Sequence, residues 1–353
     1  MTLLSRWRTR IRDCRHALRR RIEPWFGPPR PGSAAYARRQ REEIEHYGAH
    51  FLSDTPESAA SRVSLLQPVP PVWEEVMARS AEYLRARTGD DIPGHLTRLL
   101  RRAPGQRLLS LGSGPGGVEL VLAREAPEAE YVCLDLNPDL LTLGARSAEA
   151  EGLPVRFAEC DLNTIDLAGN DFDLVLCHAS LHHVVELERL MDQIRRTLRA
   201  DGKLVVVDVV TRDGGRMAPS TAKVADAIFR TLPARYRLNH TAYSDKRLDT
   251  ALWQADTRAT GMECIRSGDV LPLLRKQFRE ELFAGYLSLA RRFFESMYGP
   301  NFDLTRQPDR AIFDWVWELD CHYLATGELP PESFFGIYSA APPLRVPEAV
   351  RYD

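Results

Sequence analysis

A chain of 353 residues, 44% hydrophobic and 27% charged, is long enough to bury a sizeable core as one large domain or two modest ones. Its net charge of -2 excludes a surface that tracks nucleic acid throughout, which needs a clear excess of Lys and Arg. The six cysteines include no CxxC pair, which argues against zinc and a disulfide framework and for a reducing, cytoplasmic setting; no apolar run nears the roughly 18 residues of a membrane span.

In chain order, Leu4, Trp7, Ile11, Cys14 and Leu18 recur at spacings of 3 and 4, while eight arginines lie between Arg6 and Arg21 against one acid, Asp13. This predicts a basic amphipathic helix within residues 1–33, ended by the Pro-rich break "EPWFGPPRPGS". Such a helix suits an anionic membrane surface at the inner face, a protein partner or RNA, and equally an ordinary packed and solvated helix. "REEIEHYGAHF" and "PVWEEVMARSAEYLRARTG" then read as helices, making 34–105 a helical N-terminal region interrupted at "QPVPPVW".

Over 106–212 strands and helices alternate. "RLLSLG" is a strand, "GVELVLARE" a helix with Val118, Val121 and Leu122 on one face, "AEYVCLDLN" a strand, and "PDLLTLGARSAEAEG" a helix ending near Gly152. "PVRFAECD" and "FDLVLCHAS" are the third and fourth strands. Leu187, Leu190, Met191, Ile194 and Leu198 keep helical spacing, and Gly202 is placed to stop that helix before the strand "KLVVVDVV". Near-continuous apolar strands separated by amphipathic helices predict a doubly wound α/β domain with a parallel sheet covered on both faces. Such domains bind ligands beyond the carboxyl ends of their strands.

The stretch "LLSLGSGPGG", Leu108 to Gly117, is therefore a strand-to-helix turn whose backbone amides face a ligand. Gly112, Gly114 and Gly117 satisfy GxGxxG, a pattern that suits a dinucleotide equally well. Asp135 closes the second strand and can accept both ribose hydroxyls of an adenosine laid across the turn. Asp161 closes the third. Either aspartate also suits a helix N-cap.

Together with "LCHASLHHVVELERLMDQIRRTLRADGKLVVVDVV", these residues make Arg107 to Val210 resemble the class I S-adenosylmethionine-dependent methyltransferases. The resemblance implies a Rossmann-like, seven-stranded methyltransferase sheet and S-adenosyl-L-methionine as cofactor. It implies that Gly112, Ser113, Gly114 and Gly116 cradle the methionine part, that Asp135 holds the ribose with Leu136 against the adenine, and that Asp161 and the Leu162 amide meet the adenine edge. His178 would line the methionine side. Ser110 stands where many family members carry an acidic residue toward the methionine amino group. No metal is expected at His178, His182 and His183, because no Asp, Glu or Cys stands at ligand spacing beside them.

Residues 213–353 extend the same fold. Val224, Ile228 and Leu232 predict a helix in a lid over the substrate, "DVLPLLRKQF" a helix, "REELFAGYL" the sixth strand and "SFFGIYSA" the last. Between these strands Phe293, Phe294, Tyr298, Phe302, Phe313, Trp315, Trp317 and Tyr323 suit either core packing or an aromatic wall for an acceptor. The lid, "LPARYRLN" and "FFGIYS" loosely resemble bacterial methyltransferases of glycan and natural-product biosynthesis. The expected activity is methyl transfer to a small-molecule or glycan-like acceptor, with His182, His183 or Asp208 available to take a proton. The alternatives are an RNA methyltransferase and a cofactor-binding protein without catalysis.

Overall fold

The computed structural model describes residues 27–52, 70–167, 169, 171–240, 246–248, 251, 253–258 and 261–341. The basic amphipathic helix expected near the N-terminus falls almost wholly outside them. Among the described residues no helix is long and apolar enough to cross a membrane.

Among the described residues, three helices precede the sheet: α1 (Ala34–Leu52), α2 (Pro71–Thr88) and α3 (Ile92–Leu100). Then come β1 (Arg107–Leu111), α4 (Gly117–Glu125), β2 (Glu130–Asp135), α5 (Pro138–Glu151), β3 (Val155–Glu159), β4 (Phe172–His178), α6 (Leu187–Thr197) and β5 (Leu198–Val209). The chain continues through α7 (Pro219–Thr231), α8 (Ser267–Gln277), β6 (Arg279–Tyr286), α9 (Ala290–Phe294), α10 (Gln307–Thr326) and β7 (Ser333–Ser339). The strands form one seven-stranded sheet in the order β3-β2-β1-β4-β5-β7-β6. The first five run parallel, and β7 enters antiparallel to both β5 and β6.

Alternation along the strands explains the two layers of core. Leu108, Leu174 and Val205 face α2, α3, α4 and α7, whereas their neighbours Leu109, Val175 and Val206 face α6 and α8. This period-2 split is what a sheet buried on both faces requires. Caps set the helix ends: the Asn137 side chain accepts from the Asp139 and Leu140 amides at 3.1 and 3.3 Å, and Gly152 closes α5 in the left-handed conformation.

Three details differ from the sequence expectations. The α6 helix ends at Thr197, not at Gly202, because Leu198 takes an extended conformation and pairs with Phe172 on β4. In α4, Leu122 is buried as expected, but Val121 is 43% exposed, and Leu120 and Ala123 complete the buried face instead. The helix expected in a lid packs into the core instead: Ala222, Ala225, Ile228 and Phe229 of α7 lie with Trp253, Phe293 and Tyr298. The expected aromatic cluster is mostly core as well, with Phe293, Phe294, Phe302, Phe313 and Trp317 buried and Trp315 exposed.

Candidate functional site

A pocket opens beyond the carboxyl ends of β1, β2 and β4, as a doubly wound sheet requires. Its floor is the glycine turn. Gly112 has φ +74°, and a Cβ there would lie 2.5 Å from the Ser180 Cβ, so no other residue fits without displacing the β4 loop. The Gly112 and Ser113 amides both donate to the Leu134 carbonyl, at 2.7 and 3.1 Å, and lock the turn onto β2.

Asp135 organises the next layer. One carboxylate oxygen accepts from the Gly114 amide at 2.8 Å and the other from the Asn137 amide at 2.8 Å. Burial pushes its carboxyl up, and these two donors work against that shift. Leu136 and Leu162 provide apolar walls, and His178, whose burial favours the neutral ring, lines the pocket beside the β4 end.

Two residues expected at the cofactor face elsewhere. Ser110 is 1% exposed and its hydroxyl donates to Glu119 of α4 at 2.6 Å, behind the turn rather than on the pocket wall. Gly116 caps α4 with φ +72°, and a Cβ there would meet the Phe157 ring at 2.5 Å; close packing explains this glycine.

Asp161 lies two residues past the end of β3 and is saturated with donors. The Tyr36 hydroxyl donates to both of its oxygens, at 2.8 and 2.9 Å, Gln40 adds a bond of 2.9 Å, and the Asn163 amide adds another of 2.9 Å. Tyr36 and Gln40 belong to α1, which also contributes Glu43, Ile44 and Tyr47 to the pocket. The cover of the site is therefore this N-terminal helix together with Met262 from the segment between α7 and α8, in place of α7. Sequence reasoning missed α1's role. Its pocket-facing residues recur at helical spacing, and a helix face of Tyr, Gln, Glu and Tyr where aliphatics would pack is the signal that could have found it.

At the other end of the pocket the turn Leu181–His183 brings two imidazoles together, with ring centroids 4.1 Å apart. Of the three residues expected to handle a proton, only His183 is on the pocket wall. His182 is buried behind it and Nδ1 donates to Asp208 at 2.6 Å; Asp208 also accepts from the Leu181 and Val209 amides at 2.9 and 2.7 Å. Burial alone would raise the Asp208 carboxyl, but His182 and these donors hold it below the usual range.

His183 Nδ1 lies 2.6 Å from a Glu43 oxygen, a charge contact that is not aligned as a hydrogen bond. Its Nε2 is 3.6 Å from Glu263, and Tyr47 donates to the same Glu263 oxygen at 3.0 Å. Burial favours the neutral ring, yet Glu43 and Glu263 outweigh it and hold the imidazole at about 9. Glu263 comes from the segment between α7 and α8, so local spacing in the sequence gave no sign of it.

Residues 109–206 match the family described as "Methyltransferase domain". The chain is 36% identical over 109 residues to a demethylmenaquinone methyltransferase of Thermus thermophilus, covering 31% of this chain and 49% of that protein. It is 33% identical over 105 residues to a ubiquinone/menaquinone biosynthesis C-methyltransferase of Dinoroseobacter shibae, covering 29% and 42%. The chain thus spans about half the length of these curated relatives or less. Among solved structures, the [4+2]-cyclase SpnF aligns with a TM-score of 0.42 at 19% identity, over 71% of this chain and 80% of that one.

Proposed function

We propose, from the premise that residues 109–206 are a class I S-adenosylmethionine-dependent methyltransferase domain, that this chain transfers a methyl group to a small-molecule acceptor bearing an ionisable hydroxyl or an adjacent nucleophilic carbon. One observation carries the reading. A single pocket runs from the glycine turn, Asp135 and Asp161, which suit an adenosine, to His183 and its carboxylate neighbours, which suit a polar acceptor.

The residues present fit the cofactor. The turn excludes side chains where a ligand must approach closely, Asp135 offers acceptors for ribose hydroxyls, and Leu136 and Leu162 provide apolar walls for a ring. When bound, S-adenosylmethionine supplies an electrophilic methyl group on a sulfonium. The protein's part is alignment and exclusion of water, served by α1 lying over the pocket. We assign His183 to the acceptor, with His182 and Asp208 positioning it. The names of the quinone-methylating relatives support an aromatic or enolic acceptor.

The test incubates purified protein and methyl-labelled cofactor with fractionated cell extract. Label in the quinone or other small-molecule fraction supports the reading and selects among its acceptors. Label confined to RNA overturns the acceptor class, and no label in any fraction despite cofactor binding overturns catalysis. His183→Ala should keep its affinity for S-adenosylhomocysteine while transfer falls by about 10²-fold or more.

A further inference from the structure

We propose that His182, His183 and Glu263 form a binding site for a zinc-type divalent cation, beside the end of the pocket assigned above to the acceptor. Binding itself does not depend on the methyltransferase reading; only the cation's role rests on it.

The first argument is spacing. Nε2 of His182 lies 3.8 Å from one Glu263 oxygen and Nε2 of His183 lies 3.6 Å from the other, and one donor atom from each of the three residues falls within 4.8 Å of the rest. These separations are too long for hydrogen bonds. They are close to the edge of a tetrahedron of ligands, about 3.4 Å when each bond is about 2.1 Å. A small inward movement of the Glu263 side chain, which is 36% exposed, completes the set.

The second argument is the outer layer. A ligating imidazole ordinarily presents one nitrogen to the metal and turns the other to a carboxylate, which fixes its orientation and raises its basicity. His182 does so here, its Nδ1 donating to Asp208 at 2.6 Å, and His183 comes near it, with Nδ1 2.6 Å from Glu43 but not aligned as a hydrogen bond. Both Nε2 atoms are thereby turned toward Glu263. Two imidazoles and a carboxylate are a donor set for zinc, iron or cobalt and a poor one for magnesium or calcium.

The third argument is charge and construction. Three carboxylates, Glu43, Asp208 and Glu263, stand against the two rings, and a divalent cation complements such acidic surroundings. The chain also holds Glu263 in place at some cost. Cys264, the next residue, has φ +49°, which side-chain-bearing residues rarely adopt, and the Ile265 amide donates to the His182 carbonyl at 3.0 Å, tying the two segments together. There the cation would stabilise an acceptor oxygen in its anionic form.

The experiment uses the full chain without an affinity tag, stripped with chelator and titrated with Zn²⁺ alone by calorimetry. One site per chain is expected, weakened about tenfold or more in both His183→Ala and Glu263→Gln. No saturable binding to wild type, or equal affinity in wild type and both variants, overturns the site. Because a variant can fail to fold, Co²⁺ added to wild type provides an independent reading. Visible d–d bands of four- or five-coordinate cobalt support the site, and the pale spectrum of hexaaqua cobalt overturns it. S-adenosylhomocysteine affinity, measured separately on the stripped protein, tells failure of the cation site from failure of the methyltransferase reading.

Discussion

The Tyr36 hydroxyl bridges both carboxylate oxygens of Asp161, joining the first helix described to the loop after β3. With Gln40 and Asn163 also donating, the acceptor capacity of this carboxylate is taken up before any ligand arrives. An adenine amino group directed at Asp161 must displace one of these donors.

Tyr36→Phe keeps the ring on the pocket wall and removes the competing donor. Affinity for S-adenosylhomocysteine should rise about three- to tenfold, the worth of one ordinary hydrogen bond. Calorimetry decides it: weaker binding in the Phe variant would mean that the hydroxyl holds Asp161 in place for the ligand.

Asp135→Ala removes the acceptor for the Gly114 and Asn137 amides together with that offered to a ribose. Cofactor affinity should fall at least about tenfold, because each hydrogen bond to a charged group is worth about 1.5 to 3 kcal/mol. Wild type should show no measurable NAD binding. Unchanged affinity in the variant, or NAD binding to wild type, would contradict the assignment of the turn.

Ser110→Asp restores the acidic residue that many family members carry, and should destabilise the chain. Glu119 is buried against the Ser110 hydroxyl, and burial already pushes its carboxyl up, so a second carboxylate meets it at close range. A loss of about 1 to 3 kcal/mol is expected, largely recovered when Glu119→Gln is added. Denaturant unfolding of the two single variants and the double variant measures the coupling, and additive effects would sink the idea.

Asp320 of α10 accepts from the Ser288, Leu289 and Ala290 amides, and burial nevertheless raises its carboxyl to about 6. A carboxyl raised in the folded state adds stability that is complete below its unfolded value, about 3.9, and is lost as pH climbs through 6. Wild type should therefore lose on the order of 2 to 3 kcal/mol between pH 4 and pH 7 relative to Asp320→Asn, which keeps an acceptor but carries no charge. Parallel unfolding curves for the two proteins across that range would refute the assignment.

The sheet core was legible because apolar strand runs such as "KLVVVDVV" and the glycine turn are local signals, and Asp135 and Asp161 follow from where strands end. The cover and the imidazole–carboxylate cluster were not. Tyr36 with Asp161, and Glu263 with His183, meet only once the whole chain has folded, and no periodicity carries such a contact. Val121 was misplaced because i, i+3, i+4 spacing leaves the direction of a short helix's buried face open, and tertiary packing chose Leu120 and Ala123. Leu198 continued a helical rhythm, but its pairing with Phe172 overrode local preference.

The position of β7 between β5 and β6 sets an order of events during synthesis. As the ribosome releases the chain, β6 emerges before the strand that must separate it from β5, so both have unsatisfied edges until residues 333–339 arrive. Exposed edges of that kind template pairing with other chains. Their closure waits on a non-local contact, the slow kind. A nascent chain stalled ahead of Ser333 would present two unpaired strands to its neighbours, and arrival of residues 333–339 joins them into one continuous seven-stranded sheet.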